Sequence, residues 1–208
     1  MTERPATRRR AETRQRLLDA ALEVFAARGF GSTSVEQVCA GAGFTRGAFY
    51  SNFDSLDELF LAMWEQRSQQ MLQELEALLA APATRPSGDA PRTLRDAVAQ
   101  VADAVPVDDA WYRVTAEFTA HALRNPALRQ VVAAREDAIL ATLLPLLDRL
   151  LALVGRRITD RDALGPALVA AHDGTTVQCL IDNDPRAARA RRTDLFTVLV
   201  EHYTEEIR

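Results

Sequence analysis

A short segment near the N-terminus, residues 33–53, carries side chains suited to contact with nucleic acid. Its sequence is TSVEQVCAGAGFTRGAFYSNF. Arg46 can donate two hydrogen bonds to the edge of a guanine, and Tyr50 and Asn52 can reach phosphate oxygens. Thr45 can cap an exposed backbone amide at the start of the helix that carries them. These residues therefore predict binding to double-stranded DNA.

Short helices must position these side chains. Apolar residues recur at helical spacing over residues 11–28, which predicts an amphipathic helix closed by Gly29. Thr33 is expected to open a second helix, because Glu36 follows three residues later as in a capping box. Gly43 can adopt the positive φ that a tight turn requires before the third helix. Two short helices joined by such a turn have the spacing of a helix-turn-helix. We expect their core to contain six apolar residues: Leu18, Leu22, Phe25, Val35, Val38 and Phe49.

The rest of the chain also predicts helices and no convincing strand, so the expected fold class is all-α. A second capping box, Ser55 to Glu58, begins a long fourth helix. Prolines and a glycine predict a loop at 81–91, and a charged turn is expected at 156–161. The expected helices are residues 11–28, 33–41, 46–51, 56–79, 93–105, 109–124, 127–154, 162–181 and 192–206.

Charge is distributed unevenly along the chain. Residues 1–50 contain eight arginines and five acidic residues, whereas residues 51–208 contain seventeen arginines and twenty-four acidic residues. A basic N-terminal part on an acidic body indicates a polyanionic partner for the basic part. The chain contains no apolar segment of the roughly 20 residues that a membrane span needs. Cys39 and Cys179 are far apart in sequence and have no CxxC spacing, so they do not indicate a disulfide framework and favour the cytoplasm.

Enzymatic sites are not indicated. Gly41, Gly43 and Gly47 do not have the spacing of a dinucleotide-binding fingerprint, and no strand precedes them. The three histidines stand at unrelated spacings, so they do not form a paired metal-binding motif. We therefore expect no catalytic residue, no cofactor and no metal.

The N-terminal motif resembles that of the TetR family of bacterial transcriptional regulators. The matching residues are Gly29-Phe30, Thr33, Gly43, Gly47, Tyr50 and Phe53, followed by Asp57, Glu58 and Leu59. The resemblance implies a helix-turn-helix DNA-binding domain at 1–54, joined by a long helix to a ligand-binding and dimerisation domain at 55–208. The expected DNA-binding residues are Thr33, Thr45, Arg46, Gly47, Tyr50 and Asn52.

One position departs from the family pattern. Leu56 stands where the family usually has a lysine that pairs with a phosphate. The arginines of the N-terminal extension could compensate by reaching phosphates or a minor groove, or they could belong to a disordered solubilising tail. These arginines are Arg4, Arg8, Arg9 and Arg10.

The resemblance also implies an effector pocket and a homodimer in the body. Aromatic and polar residues on otherwise apolar helices are the pocket candidates, and the alternative is that they are ordinary core residues. The candidates are Met63, Trp64, Trp111, Phe118, His121, His172 and Thr176. The last two helices, 162–181 and 192–206, are expected to form the dimer interface, and the alternative is that their faces pack inside one subunit.

The resulting prediction is a ligand-responsive transcriptional regulator. Its expected partners are a double-stranded, palindromic DNA operator, a small-molecule effector and a second copy of the chain. Repression, relieved by a small and mostly apolar inducer, is the favoured mode. A transcriptional activator of the same fold and a ligand-independent architectural DNA-binding protein are the alternatives.

Overall fold

The computed structural model describes residues 5–80 and 91–207, and the helices account for most of them. The predicted all-α class is confirmed. The loop predicted at 81–91 lies outside the described residues except at Pro91. The elements are α1 Pro5–Arg28, a 3-10 turn Phe30–Ser32, α2 Val35–Ala42, α3 Arg46–Tyr50, α4 Leu56–Ala80, α5 Leu94–Ala104, α6 Asp109–Ala122, α7 Pro126–Ala152, β1 Arg156–Ile158, α8 Arg161–Ile181, α9 Pro185–His202 and β2 Thr204–Glu206.

Two short strands correct the prediction that the chain has none. β1 pairs with β2 in antiparallel register, with Arg157 opposite Glu205. The pairing ends α9 at His202, four residues before the predicted end, and replaces the charged turn expected at 156–161. Three-residue strands are too short to show the alternating pattern on which a sequence prediction depends.

The described residues pack as two compact units. The first contains the described residues through Ser68 together with Asp109–Val132, and the second contains those of 69–108 and of 133–207. The functional boundary predicted between residues 54 and 55 stays a prediction. Within the described residues, every helix is too short or too polar to cross a membrane.

The core of the first unit contains the apolar residues predicted for it. Leu18, Phe25, Val38 and Phe49 are buried, and Leu22 and Val35 pack against this cluster while partly exposed. The second unit has its own apolar cluster, in which α5, α7, α8 and α9 all take part. Its buried members are Val98, Leu144, Leu147, Leu151, Leu164, Leu168 and Val200.

The start of α2 differs by one residue from the prediction. Ser34, and not Thr33, is the N-cap: its Oγ accepts from the Gln37 amide, and the Gln37 side chain accepts from the Ser34 amide. Thr33 instead ends the 3-10 turn, where its hydroxyl donates to the Gly29 carbonyl at 2.8 Å. The 3-10 turn shifts the first turn of α2 by one position, which the sequence pattern alone does not reveal.

The turn before α3 depends on Gly43. Its φ is 71° and ψ is 33°, the left-handed conformation that the sequence predicts for it. The Gly43 amide donates to the Ala40 carbonyl, and the Phe44 amide donates to the Cys39 carbonyl, so the turn also closes α2. A side chain here would meet the Arg16 guanidinium at 3.3 Å.

We expect Gly43→Ala to lower the free energy of unfolding by about 1–2 kcal/mol, because a Cβ is strained in the left-handed region. Gly47→Ala is the matched control, since Gly47 lies inside α3 and its added Cβ would make an ordinary contact at 3.7 Å. This control should leave stability unchanged or raise it by about 0.5–1 kcal/mol. Urea denaturation followed by circular dichroism measures both, and equal losses would contradict the assignment.

Candidate DNA-binding surface and regulatory elements

α3 presents most of the predicted DNA-binding side chains on one exposed surface. Phe49 is completely buried and fixes the inner side of the helix. Thr45, Arg46, Gly47 and Tyr50 are exposed. The Thr45 hydroxyl accepts from the Ala48 amide at 3.3 Å, which confirms the predicted cap. A capped helix that is anchored by one aromatic residue can present its outer side chains in a defined orientation.

Arg46 is held on this surface by an acidic residue of α2. Its Nη1 lies 2.9 Å from Oε1 of Glu36, and both side chains are more than half exposed. The guanidinium also lies over the Tyr50 ring at 5.8 Å. The pKa of Glu36 is lowered, first by its own backbone amide, then by Ser34 and by Arg46, so the carboxylate stays ionised. The sequence analysis did not connect Glu36 with this surface.

The other two predicted DNA-binding residues have local structural contacts. Thr33 donates to Gly29 as described above, and the side-chain Nδ2 of Asn52 donates to the Ala48 carbonyl at 2.8 Å. The Asn52 Oδ1 is buried and accepts no hydrogen bond from the described residues. Both side chains are half-buried, and their contact with DNA stays a prediction.

The N-terminal arginines that the structure describes belong to α1. Arg4 lies outside the described residues. Arg8, Arg9 and Arg10 are helical and exposed, which corrects the alternative of a disordered tail for these three. Arg10 donates to the Ser51 carbonyl at 3.0 Å, just after α3. This contact brings the basic N-terminal turns close to the predicted recognition helix.

Leu56 takes an apolar role where the family pattern has lysine. It is half-buried and packs against the core of the first unit. A charged side chain at this position would lose this packing and would contact solvent or a phosphate instead.

α6 contacts the end of α1 through two polar side chains. A Glu117 carboxylate oxygen accepts from the Phe30 amide at 2.6 Å, and Arg113 donates to the Ala26 carbonyl at 3.0 Å. Gly29 has φ 85°, and a Cβ there would approach the same carboxylate to 2.9 Å. The absence of a side chain at Gly29 therefore permits Glu117 to bind the first amide of the 3-10 turn, while Arg113 binds a carbonyl that α1 leaves unpaired at its end.

Five of the predicted pocket residues contribute to the packing of the first unit. Phe118 stacks on Phe60 with ring centroids 3.8 Å apart, and Trp111 also stacks on Phe60, with centroids 5.9 Å apart. Phe118 and Met63 are buried, whereas Trp64 and Trp111 pack partly exposed against the cluster. His121 Nε2 lies 3.2 Å from Asp57 Oδ1. This is the arrangement that the ordinary-core alternative describes, and a ligand role for these residues stays a prediction.

The other two predicted pocket residues contact a buried arginine in the second unit. Arg192 is only 3% exposed. It donates to the Thr176 hydroxyl at 3.1 Å, and its other terminal nitrogen lies 3.1 Å from His172 Nδ1. Burial and then the Arg192 charge lower the pKa of His172 to about 4, so the imidazole is neutral and can accept from the guanidinium. The cluster joins α8 to α9.

An apolar cavity lies elsewhere in the second unit. It is small, about 20 Å³, and partly open to solvent, and one amide side chain is the polar group in an aliphatic lining. None of the seven predicted pocket residues lines it. The lining residues come from α4, α5 and α7: Leu75, Gln100, Val101, Leu143, Leu146, Leu147 and Leu150.

Exposed apolar and small side chains remain on α8 and α9. Leu195 and Val198 of α9 are 42% and 61% exposed. On α8, Ala170 is exposed, and a Cβ added at Gly174 would meet no atom within 4 Å. Other members of the predicted small-residue face, such as Ala171, are buried within the subunit. One side of α8 therefore packs within the subunit and another is exposed, and the dimer interface stays a prediction.

The described residues show no metal-binding chemistry. They contain no cluster of three or more His, Cys, Asp or Glu side chains that could hold a metal ion. Cys39 and Cys179 are both buried and free.

Comparison with known proteins supports the interpretation of this surface. A family model described as bacterial regulatory proteins of the tetR family matches residues 17–63. A second model, described as the C-terminal part of BetI-type transcriptional repressors, matches residues 90–203, which is more than half of the chain. The HTH-type transcriptional regulator AcrR of Shigella flexneri is 45% identical over 65 residues, or 31% of this chain and 30% of that protein.

Solved structures match over nearly the whole chain. A TetR-family regulator from Mesorhizobium loti superposes with a TM-score of 0.67 at 18% identity, and the match covers 94% of this chain and 96% of that one. At this identity the match supports the fold alone. The multidrug-binding protein EbrR, solved with imidazole, has a TM-score of 0.59 at 27% identity and covers 91% and 90% of the two chains.

The capped recognition helix and the helical body define a helix-turn-helix DNA-binding regulator. The chain belongs to the TetR family of bacterial transcriptional regulators. Proteins of this family are regulators of transcription and not enzymes.

The buried His172 predicts a loss of stability in acid. Its folded-state pKa of about 4 lies below the ordinary 6.5, so the unfolded chain binds the proton more tightly. This contribution to stability is present above pH 6.5 and is lost as the pH falls toward 4, by up to about 3 kcal/mol. Urea unfolding at several pH values measures it.

His172→Gln should reduce that pH dependence, because an amide oxygen can accept from Arg192 without titrating in this range. His202→Gln is the control, since His202 is exposed at the end of α9. If the wild type and His172→Gln lose stability equally between pH 6.5 and 4, His172 is not the responsible group.

Proposed function

We propose that the protein is a homodimeric repressor that leaves a near-palindromic operator when a small, mostly apolar effector binds. The DNA-binding part of this proposal rests on the exposed surface of α3. Arg46 and Tyr50 lie on that surface, next to the Thr45 cap. α1 adds arginines next to this surface through the Arg10–Ser51 contact. Phosphate contacts by such arginines strengthen binding without specifying sequence.

The apolar cavity of the second unit, widened by movement of its lining side chains, is the proposed effector site. Its aliphatic lining favours an uncharged, apolar compound, and Gln100 supplies a polar group for orientation. The similarity to EbrR, whose structure contains a bound small molecule, supports a ligand-binding body.

α4 is the proposed route from the effector to the DNA-binding residues. It carries Leu75 of the cavity near one end and Phe60 of the first unit's core near the other. α6 holds the end of α1 through Glu117 and Arg113, so a displacement of α4 or α6 would alter the position of α1 and the helices packed on it. A coupling free energy of about 1–3 kcal/mol between the two sites is the usual scale.

α8 and α9 are the proposed dimer interface. Val198 and Leu195 are exposed apolar residues of α9, and Gly174 leaves open space on α8. A two-fold dimer that binds a near-palindromic site needs its two recognition helices about 34–36 Å apart, one turn of DNA.

Selection of bound fragments from the source genome tests the DNA-binding proposal. We expect the ligand-free wild type to enrich a few near-palindromic sites at a fixed salt concentration, and Arg46→Ala to lose that enrichment. Arg28→Ala is a control, because Arg28 is an exposed arginine at the end of α1. An architectural protein would enrich no defined sequence, and the position of the sites relative to promoters separates a repressor from an activator.

Filling the cavity should remove effector binding and leave ligand-free DNA binding intact. We expect Val101→Phe to weaken binding of the uncharged fluorophore N-phenyl-1-naphthylamine at least about tenfold, or ~1.4 kcal/mol, by occupying the site. Val131→Phe is the control, because Val131 is 42% exposed and lies in the first unit. Equal affinities for the two variants would place the effector elsewhere.

A charge on the α9 face should dissociate the dimer. We expect Val198→Asp to give a 23.0 kDa monomer in sedimentation, because two carboxylates would be buried near the two-fold axis. Leu123→Asp replaces a residue that is 63% exposed outside α8 and α9, and it should stay dimeric. An unchanged mass for Val198→Asp would contradict the proposed interface.

A further inference from the structure

An acidic side chain stands on the surface that is proposed to face DNA. Glu36 lies in the first turn of α2, is exposed, and contacts Arg46 at 2.9 Å. A carboxylate near a phosphate backbone is repelled by it, so its position beside the principal base-reading arginine requires an explanation. An exposed ion pair by itself contributes little to stability and does not supply that explanation.

The two side chains complement the major-groove edge of a G·C base pair. Guanine presents two acceptors, N7 and O6, and cytosine presents the N4 amino donor. A guanidinium donates to the first two, and a carboxylate accepts from the third. Arg46 and Glu36 come from different helices and are in contact. The guanidinium donors and the carboxylate acceptor therefore lie side by side.

Three features hold this arrangement before DNA binds. The Ser34–Gln37 capping box holds the first turn of α2, and the Thr45 cap holds the first turn of α3. The Tyr50 ring lies beneath the Arg46 guanidinium on the side of α3. Preorganised side chains lose less conformational freedom on binding. This favours contact with the bases by both Arg46 and Glu36 over contact by Arg46 alone.

We propose that Arg46 and Glu36 act together as one reading unit, in which Arg46 donates to a guanine and Glu36 accepts from the N4 amino group of a cytosine in the same or the next base pair. This inference rests on the proposed DNA-binding function. It makes Glu36 a specificity-determining residue that also disfavours sites without a cytosine, since an unpaired carboxylate would then face acceptor atoms of the bases.

The test begins with selection of binding sites from randomised duplexes by the purified full-length protein. Each G·C pair of the selected site is then altered singly by replacing its cytosine with 2-pyrimidinone, which lacks the N4 amino group and still pairs with guanine. Affinities are measured at one fixed salt concentration for the wild type and for Glu36→Ala, after circular dichroism confirms that both are folded.

We expect one such replacement to weaken wild-type binding roughly 5- to 150-fold, the usual range for loss of a specific base contact. The same replacement should leave Glu36→Ala nearly unaffected. Glu12→Ala is the matched control: Glu12 also pairs with an exposed arginine, Arg8, at 3.0 Å, but lies on α1. This control should keep the full wild-type sensitivity to the replacement.

The outcomes distinguish failure of this inference from failure of the proposed DNA-binding function. If the wild type selects a site and Glu36→Ala is as sensitive to every cytosine replacement as the wild type, the inference is wrong while the DNA-binding function stands. The same conclusion follows if Glu36→Ala loses only its preference for guanine, because Glu36 would then only position Arg46. If the wild type selects no site, both the proposed function and the inference fail.

Discussion

The candidate DNA-binding surface depends on the burial of Phe49. α3 has five residues, and a helix of that length is not stable in water without tertiary contacts. Phe49 supplies them by inserting into a cluster that includes Phe25 of α1 and Val38 of α2. The cap at Thr45 and the turn at Gly43 then set the direction in which α3 leaves α2. Arg46 and Tyr50 acquire a defined position only because this inner side is fixed.

The same packing connects the surface to elements distant in the chain. Phe30, which follows α1, contacts both Phe60 of α4 and Phe118 of α6 through its ring. Its backbone amide is bound by Glu117. One residue thus joins three helices through its side chain and its main chain, and Gly29 leaves the space that this approach needs. Aromatic residues that resemble a ligand pocket in the sequence therefore have a structural role in the first unit.

The second unit combines apolar packing with a buried charge. Arg192 is surrounded by the neutral acceptors Thr176 and His172 and lies over the Phe196 ring at 5.4 Å. Burial lowers the pKa of this guanidinium, with Cys179 and Asp103 acting in the opposite direction. A buried cation with such partners demands one arrangement of α8 against α9, because any shift would leave it without hydrogen bonds. The exposed Val198 and Leu195 remain on the outside of this pair.

The sequence by itself determined the fold class, most of the helices, the Thr45 cap, the Gly43 turn and the apolar core of the first unit. Each of these follows from local spacing or from residues with strong conformational preferences. Only the tertiary structure decided the cap at Ser34, the β1–β2 pairing, the Glu36–Arg46 contact and the position of the cavity. The β1–β2 pairing, the Glu36–Arg46 contact and the cavity join residues that no periodic sequence pattern connects. The cap at Ser34 shifts the start of α2 by one residue. The sequence shows that Phe118 is an aromatic residue on a helix, but only the tertiary packing shows that it stacks on Phe60 in the core of the first unit.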